Sequence, residues 1–147
     1  MRYRPFGART NVLVSMLGIG AMRLPLKPAG VIDETRATEL IETGLEGGIN
    51  YIDTAYVYND GASEKIIGDT LQRGWRDKIY VATKMPVWEL EKPGDQAPFL
   101  RTQLERLGME QIDFYLLHSL NARYWQNVLR SESLAWLDEE KRRGHIR

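Results

Sequence analysis

The chain has 147 residues, an ordinary globular balance of 43% hydrophobic and 27% charged residues, and no cysteine, which excludes disulfides, thiolate metal sites and a cysteine nucleophile. Lys plus Arg and Asp plus Glu match at 20 each, so no net field recruits nucleic acid or an anionic membrane surface. No apolar run approaches the roughly 20 residues that span a bilayer, and Met1-Arg2-Tyr3-Arg4-Pro5 has no apolar leader core; the expectation is one cytoplasmic domain over residues 1–147.

Residues 2–6 and 11–15 read as a small hairpin around Gly7-Ala8-Arg9-Thr10. The apolar run Ser15-Met16-Leu17-Gly18-Ile19-Gly20 is expected to be the first core strand. Asp33 is placed as N-cap of a first helix that buries Ala37, Leu40, Ile41 and Leu45 and ends at Gly47-Gly48. Asn50-Tyr51-Ile52-Asp53 is the next strand. A second helix opens at Ser63-Glu64, buries Ile66, Ile67 and Leu71 and stops near Gly74.

The run Lys78 to Lys84 is a third strand, followed by a loop from Trp88 to Asp95. A third helix starts near Asp95, tolerates Pro98 in its first turn and lines up Leu100, Leu104 and Leu107 on one face. Ile112 to His118 is a fourth strand, and one helix is expected from about Ser131 to Arg143, ending at Gly144. His145-Ile146-Arg147 reads as the start of a fifth strand. Strand centres near 17, 51, 81 and 114 recur about every 30 to 34 residues, the cadence of parallel strands joined by crossover helices in a barrel or an open sheet.

Four polar residues end or closely follow these strands: Asp53, Tyr58, Lys84 and His118. Titratable groups at the C-terminal tips of successive parallel strands are how α/β enzymes build active sites. Lysine is almost never fully buried without a partner, and Asp53 on the adjacent strand, about 4.8 Å away at the same level, supplies one. A nearby ammonium favours tyrosinate, which suits Tyr58 to proton donation near neutral pH; Tyr51 and Tyr56 are read as packing residues. His118 ends the most apolar strand and is read as a hydrogen-bond donor to a substrate oxygen. Trp88, Tyr124 and Trp125 could wall an apolar pocket.

Other patterns fall away. Gly18-Ile19-Gly20 begins like a dinucleotide fingerprint, but Arg23 stands where the third glycine is needed. Two distant histidines give no metal-ligand spacing. Ser119 beside His118 points to the opposite face, so they form no nucleophile–base couple.

The run Gly48 to Tyr58, followed by Gly61-Ala62-Ser63-Glu64-Lys65-Ile66-Ile67-Gly68, resembles the best-known signature of the aldo-keto reductases. Leu17-Gly18-Ile19-Gly20, Val81-Ala82-Thr83-Lys84 and Ile112 to Ser119 agree with that family in order and spacing. Met22-Arg23-Leu24-Pro25, Lys84-Met85-Pro86 and His118-Ser119-Leu120-Asn121 resemble the prokaryotic branch that carries a C-terminal iron–sulfur segment, although the cysteines of that branch are absent.

The resemblance implies an α/β fold: an N-terminal β-hairpin and four βα units, half of a (β/α)8 TIM-type barrel truncated before its fifth strand. It further implies NADPH-dependent reduction of an aldehyde or ketone. Tyr58 would be the proton donor, Lys84 and Asp53 its tuning pair, and His118 the group orienting the carbonyl. Gly20, Ala21 and Met22, with Asp53, would approach the nicotinamide and ribose, and Trp88 the substrate. The family's second half, with most of the cofactor site, is missing. Its open inner face and edges lead us to expect self-association or a complementing half-barrel, and an inactive isolated chain. The competing readings are a non-enzymatic half-barrel acting as an association or regulatory module, and an open flavodoxin-like domain.

Overall fold

The structure, a computed structural model, describes all residues except Ala8 and Arg9. A short antiparallel hairpin, β1 (Tyr3–Pro5) and β2 (Leu13–Ser15), pairs Tyr3 with Ser15 and Pro5 with Leu13. The central residues of its expected turn, Ala8 and Arg9, lie outside the described residues. Asn50 ties the hairpin to the main sheet: its side chain accepts from the Ser15 amide at 2.7 Å and donates to the Leu13 carbonyl at 2.9 Å. Phe6 then lays its ring 4.2 Å from that of Phe114, covering part of the inner sheet face.

The main sheet is parallel, in the order β3 (Ile19–Gly20), β4 (Tyr51–Asp53), β5 (Tyr80–Met85), β6 (Phe114–Leu117). Ile146 adds a parallel bridge to Ile112, so the segment read as the beginning of a fifth strand does pair beyond β6. The first strand is shorter than expected. Met16 and Leu17 are exposed and only Ile19–Gly20 joins the sheet.

Helices α1 (Glu34–Glu46), α2 (Ala62–Thr70) and α3 (Gln96–Leu107) cover the outer face. Asp33 caps α1 by accepting from the Arg36 amide at 3.3 Å. Ala37, Ile41 and Leu45 are buried, but Leu40 is 52% exposed: a helix turns about 100° per residue, which carries Leu40 off the stripe holding Ile41. Ile66, Ile67 and Leu71 are buried as expected. On α3 the buried stripe is Gln96, Leu100, Gln103 and Leu107, with Leu104 only partly covered. The two glutamines are tolerated inside because both are hydrogen-bonded.

The helix expected from about Ser131 to Arg143 is present as Ser133–Arg143, capped by Gly144, and a helix not expected from the sequence, α4 (Ala122–Arg130), precedes it, which makes the later one α5. Glu132 between them is left-handed (φ 53°), and Ser131 and Ser133 are buried there, bonded to each other and to Gln96. Among the described residues no helix is long and apolar enough to cross a membrane.

Strand parity decides what reaches the mouth of the sheet. Ile52, Val81, Thr83 and Met85 face the helices and are fully buried. Tyr51, Asp53, Tyr80, Ala82, Lys84, Phe114, Leu116 and His118 share the inner face, and there Leu116 is 38% exposed.

Candidate active site

Parallel register brings the inner-face polar groups to the C-terminal end of the sheet. Asp53 pairs with Ala82 and Lys84 with Leu116, so Lys84 stands two residues beyond the level of Asp53 rather than beside it. Its long side chain leans back to close the gap. The ammonium donates to Asp53 Oδ1 at 2.5 Å, to the Thr54 carbonyl at 2.6 Å and to Tyr58 Oη at 3.2 Å. Those contacts match all three of its N–H donors, so the buried head of a side chain only 14% exposed leaves none of them unpaired. It also lies 4.7 Å from the Tyr58 ring centroid.

Tyr58 Oη accepts a hydrogen bond from Lys84, and its own proton therefore points elsewhere. The residue is held at the start of a tight turn in which Asn59, Asp60 and Gly61 are all left-handed. Its ring stands edge-on to the His118 imidazole, centroids 5.7 Å apart. His118 follows β6 and continues the ladder, its amide donating to the Met85 carbonyl at 3.0 Å, while its Nδ1 is buried without a hydrogen-bond partner. Trp88 packs 5.2 Å from His118 and 6.2 Å from Tyr124, so those aromatics form one wall. Trp125 instead packs on the small core of Met85, Val87, Leu90 and Val128.

The segment Gly20-Ala21-Met22 divides by exposure. Gly20, in register with Asp53, has no atom within 4 Å of where a Cβ would stand, and Met22 is 56% exposed. Ala21 is fully buried and its carbonyl accepts from Ser63 at 2.9 Å. Ala21 therefore anchors the segment, and the surface it offers a ligand comes from its neighbours. Among the described residues no three His, Cys, Asp or Glu side chains gather in a way that could hold a metal ion.

Burial pushes the His118 imidazole below its ordinary value, the Lys84 charge lowers it further, and Asp53 opposes both. The folded state thus favours neutral imidazole, still a donor through one N–H. Because the unfolded chain binds this proton more readily, the contribution to stability is present above about pH 6.5 and is lost as pH falls through the lower folded value. An NMR titration of the His118 Hε1 resonance should have its midpoint below about 6.5, and Lys84→Met should move it up. A midpoint at or above that value would contradict the site's electrostatics.

Behind the mouth lies a buried polar cluster that sequence patterning does not single out. Glu64, fully buried on α2, accepts from Thr83 at 2.6 Å, from Gln103 at 2.9 Å and from Arg106 at 3.1 Å. Tyr115 completes it by donating to Gln103 at 2.6 Å, and its phenol is held well above its usual range by burial and by the Glu64 charge.

The C-terminal end of the parallel sheet thus gathers Tyr58, Lys84, Asp53 and His118 in one cluster on an α/β fold. The chain belongs to the aldo/keto reductase family, whose profile matches residues 16–147. Over its whole length it is 33% identical to the NADH-specific methylglyoxal reductase of Escherichia coli (strain K12), covering 50% of that protein. It superimposes on aldo-keto reductase AKR11C1 from Bacillus halodurans (holo form) with a TM-score of 0.79 at 31% identity, covering 99% of this chain and 48% of that one. A Klebsiella pneumoniae aldo-keto reductase in complex with NADPH gives 0.74 at 25% identity, covering 91% and 44%. The chain thus spans about half the length of the relatives it matches.

Proposed function

We propose that these 147 residues are the N-terminal half of an NADPH-dependent carbonyl reductase, with the proton-transfer groups assembled and the cofactor site incomplete. The single observation that carries this is the saturated Lys84 ammonium, bonded at once to Asp53, Thr54 and Tyr58. Tyr58 passes its phenolic proton to the carbonyl oxygen, and Lys84 stabilises the phenolate left behind. Asp53 holds the ammonium in place, and neutral His118 donates to the same oxygen to orient it.

NADPH, when bound, supplies the hydride. The open approach at Gly20, the exposed Met22 and the neighbouring Asp53 fit its nicotinamide and ribose end, and Trp88 with Tyr124 fits an apolar substrate side. With no cysteine in the chain, nothing here ligates an iron–sulfur cluster, and no step runs through one. The resemblance to the iron–sulfur branch rests on Met22-Arg23-Leu24-Pro25 and the segments after Lys84 and His118.

The half-barrel reading has a physical consequence for assembly. Burying about 400 Å² of apolar inner face at ~25 cal/mol per Å² yields on the order of 10 kcal/mol before association costs. Light scattering on a size-exclusion column is expected to show self-association of the purified chain. A stable folded monomer at micromolar concentration would defeat that expectation.

The functional test is calorimetry with NADPH and with NADH, beside turnover on small aldehydes and ketones, with and without a separately expressed second half-barrel of the family. Alone, the chain is expected to bind either dinucleotide more weakly than micromolar and to turn over negligibly, since the hydride donor must be fixed within about 3 to 3.5 Å of the carbonyl. Micromolar or tighter binding by the chain alone would overturn the half-barrel reading. A stably complemented barrel without turnover would favour the association-module reading, which the exposed Leu116 on the inner face supports.

A further inference from the structure

We propose that Arg106 is a positioning residue, clamping the loop that carries Tyr58 to the strand that carries Lys84. The inference rests on the site reading above and adds the device that sets its geometry. Arg106 sits on α3, outside the mouth, and its guanidinium makes three contacts that converge on one place. It donates to the Tyr56 carbonyl at 3.0 Å and to Glu64 Oε2 at 3.1 Å, and it lies over the Tyr56 ring, 4.6 Å from the centroid.

Gly61 shows how closely the clamp fits. Any Cβ there would collide with the Arg106 guanidinium, so the left-handed turn of residues 59–61 is seated directly against it. Such a turn is strained for Asn59 and Asp60 and persists only where its surroundings hold it. Arg106 grips both its ends: Tyr56 before Tyr58, and Gly61 after.

The other end of the clamp is Glu64. Its second oxygen accepts from Thr83, the residue before Lys84, and Gln103 joins Glu64, Thr83 and the Lys84 carbonyl at 3.2 Å. Loop and strand are thus fixed to one fully buried carboxylate. A planar five-donor fork can bond carboxylate and carbonyl while stacking on a ring, which an ammonium cannot reproduce. The separation of Tyr58 from Lys84 and His118 is therefore set by a residue that touches none of the three.

The test reads geometry instead of activity, so it stands whether or not Tyr58 is the acid. The chain has two histidines, and the edge-on Tyr58 and His118 rings should give an NMR cross-peak between ring protons. Arg106→Met is expected to abolish that cross-peak and shift the His118 resonance while His145 stays put. Arg76→Met, which breaks a different ion pair at Asp113, should lower the urea midpoint yet leave the cross-peak intact. Should Arg106→Met fail to fold, Arg106→Lys carries the same test, keeping a charge beside Glu64 but losing the fork, and the cross-peak should still disappear. An intact cross-peak and unmoved His118 resonance in a folded Arg106 variant would sink the proposal, as would their loss in Arg76→Met to the same extent.

Discussion

Tyr58→Phe, assayed in a complemented barrel, is expected to lower turnover by about 10²–10⁴-fold with cofactor affinity nearly unchanged. Phenylalanine keeps the ring that stands edge-on to His118 and lies near the Lys84 ammonium, and removes only the hydroxyl. The loss should therefore sit in the chemical step. Lys84→Met should be similarly severe, because Asp53 and Tyr58 lose the one group that joins them. The control is Tyr56→Phe. Tyr56 accepts from Arg106 through its carbonyl, stacks its ring on the guanidinium and meets Phe99 edge-on at 5.0 Å, all of which phenylalanine retains. A dead Tyr56→Phe beside an active Tyr58→Phe would show that the proton donor has been misplaced.

The largest stability effect should come from the opposite end of the sheet. The Asp113 side chain is 2% exposed and accepts from Arg76 at 3.0 and 3.2 Å and from the Val81 amide at 2.9 Å. Asp113→Ala leaves a buried amide and a partly exposed Arg76 without that partner, and the unsatisfied buried donor together with the lost charged hydrogen bonds should cost about 2–3 kcal/mol. Against the roughly 5–15 kcal/mol that holds an ordinary domain, much of the chain should unfold in mild urea. Arg73→Ala, which breaks a 3.8 Å pair with Glu42 from a side chain 59% exposed, should cost less than about 1 kcal/mol. Equal midpoint shifts for the two variants would refute this ranking.

Asp53, Lys84 and His118 are legible in the sequence because each interrupts or ends an apolar run, where a polar side chain needs a reason to be. Tyr58 is legible by its short distance along the chain from Asp53. Their register is not: that Lys84 stands beyond Asp53's level depends on how β4 and β5 align, a long-range pairing that local pattern does not contain. Glu64 is hidden for a related reason. In the first turn of a helix a glutamate reads as solvated, and its burial follows from partners on β5 and α3. Helix α4 is missed in the sequence because no glycine or proline marks its end: the left-handed residue that separates it from α5 is Glu132. The family relationship was readable from ordered motifs because those motifs are the strand ends and turns that build the mouth.

The alternation of Thr83 and Lys84 has one more implication. Thr83 is sealed beneath the helices against a buried carboxylate, while Lys84, the next residue, faces the mouth. A slip of β5 by a single residue would exchange these faces, sending a charged amine toward the helix layer and a hydroxyl or thioether into the cleft. The chemical apparatus is thereby a gauge of correct strand alignment: a misthreaded assembly is silent even when its helix content is unchanged. Catalysis, once restored by a complementing half, would report on pairing fidelity at single-residue resolution, which circular dichroism and light scattering do not resolve.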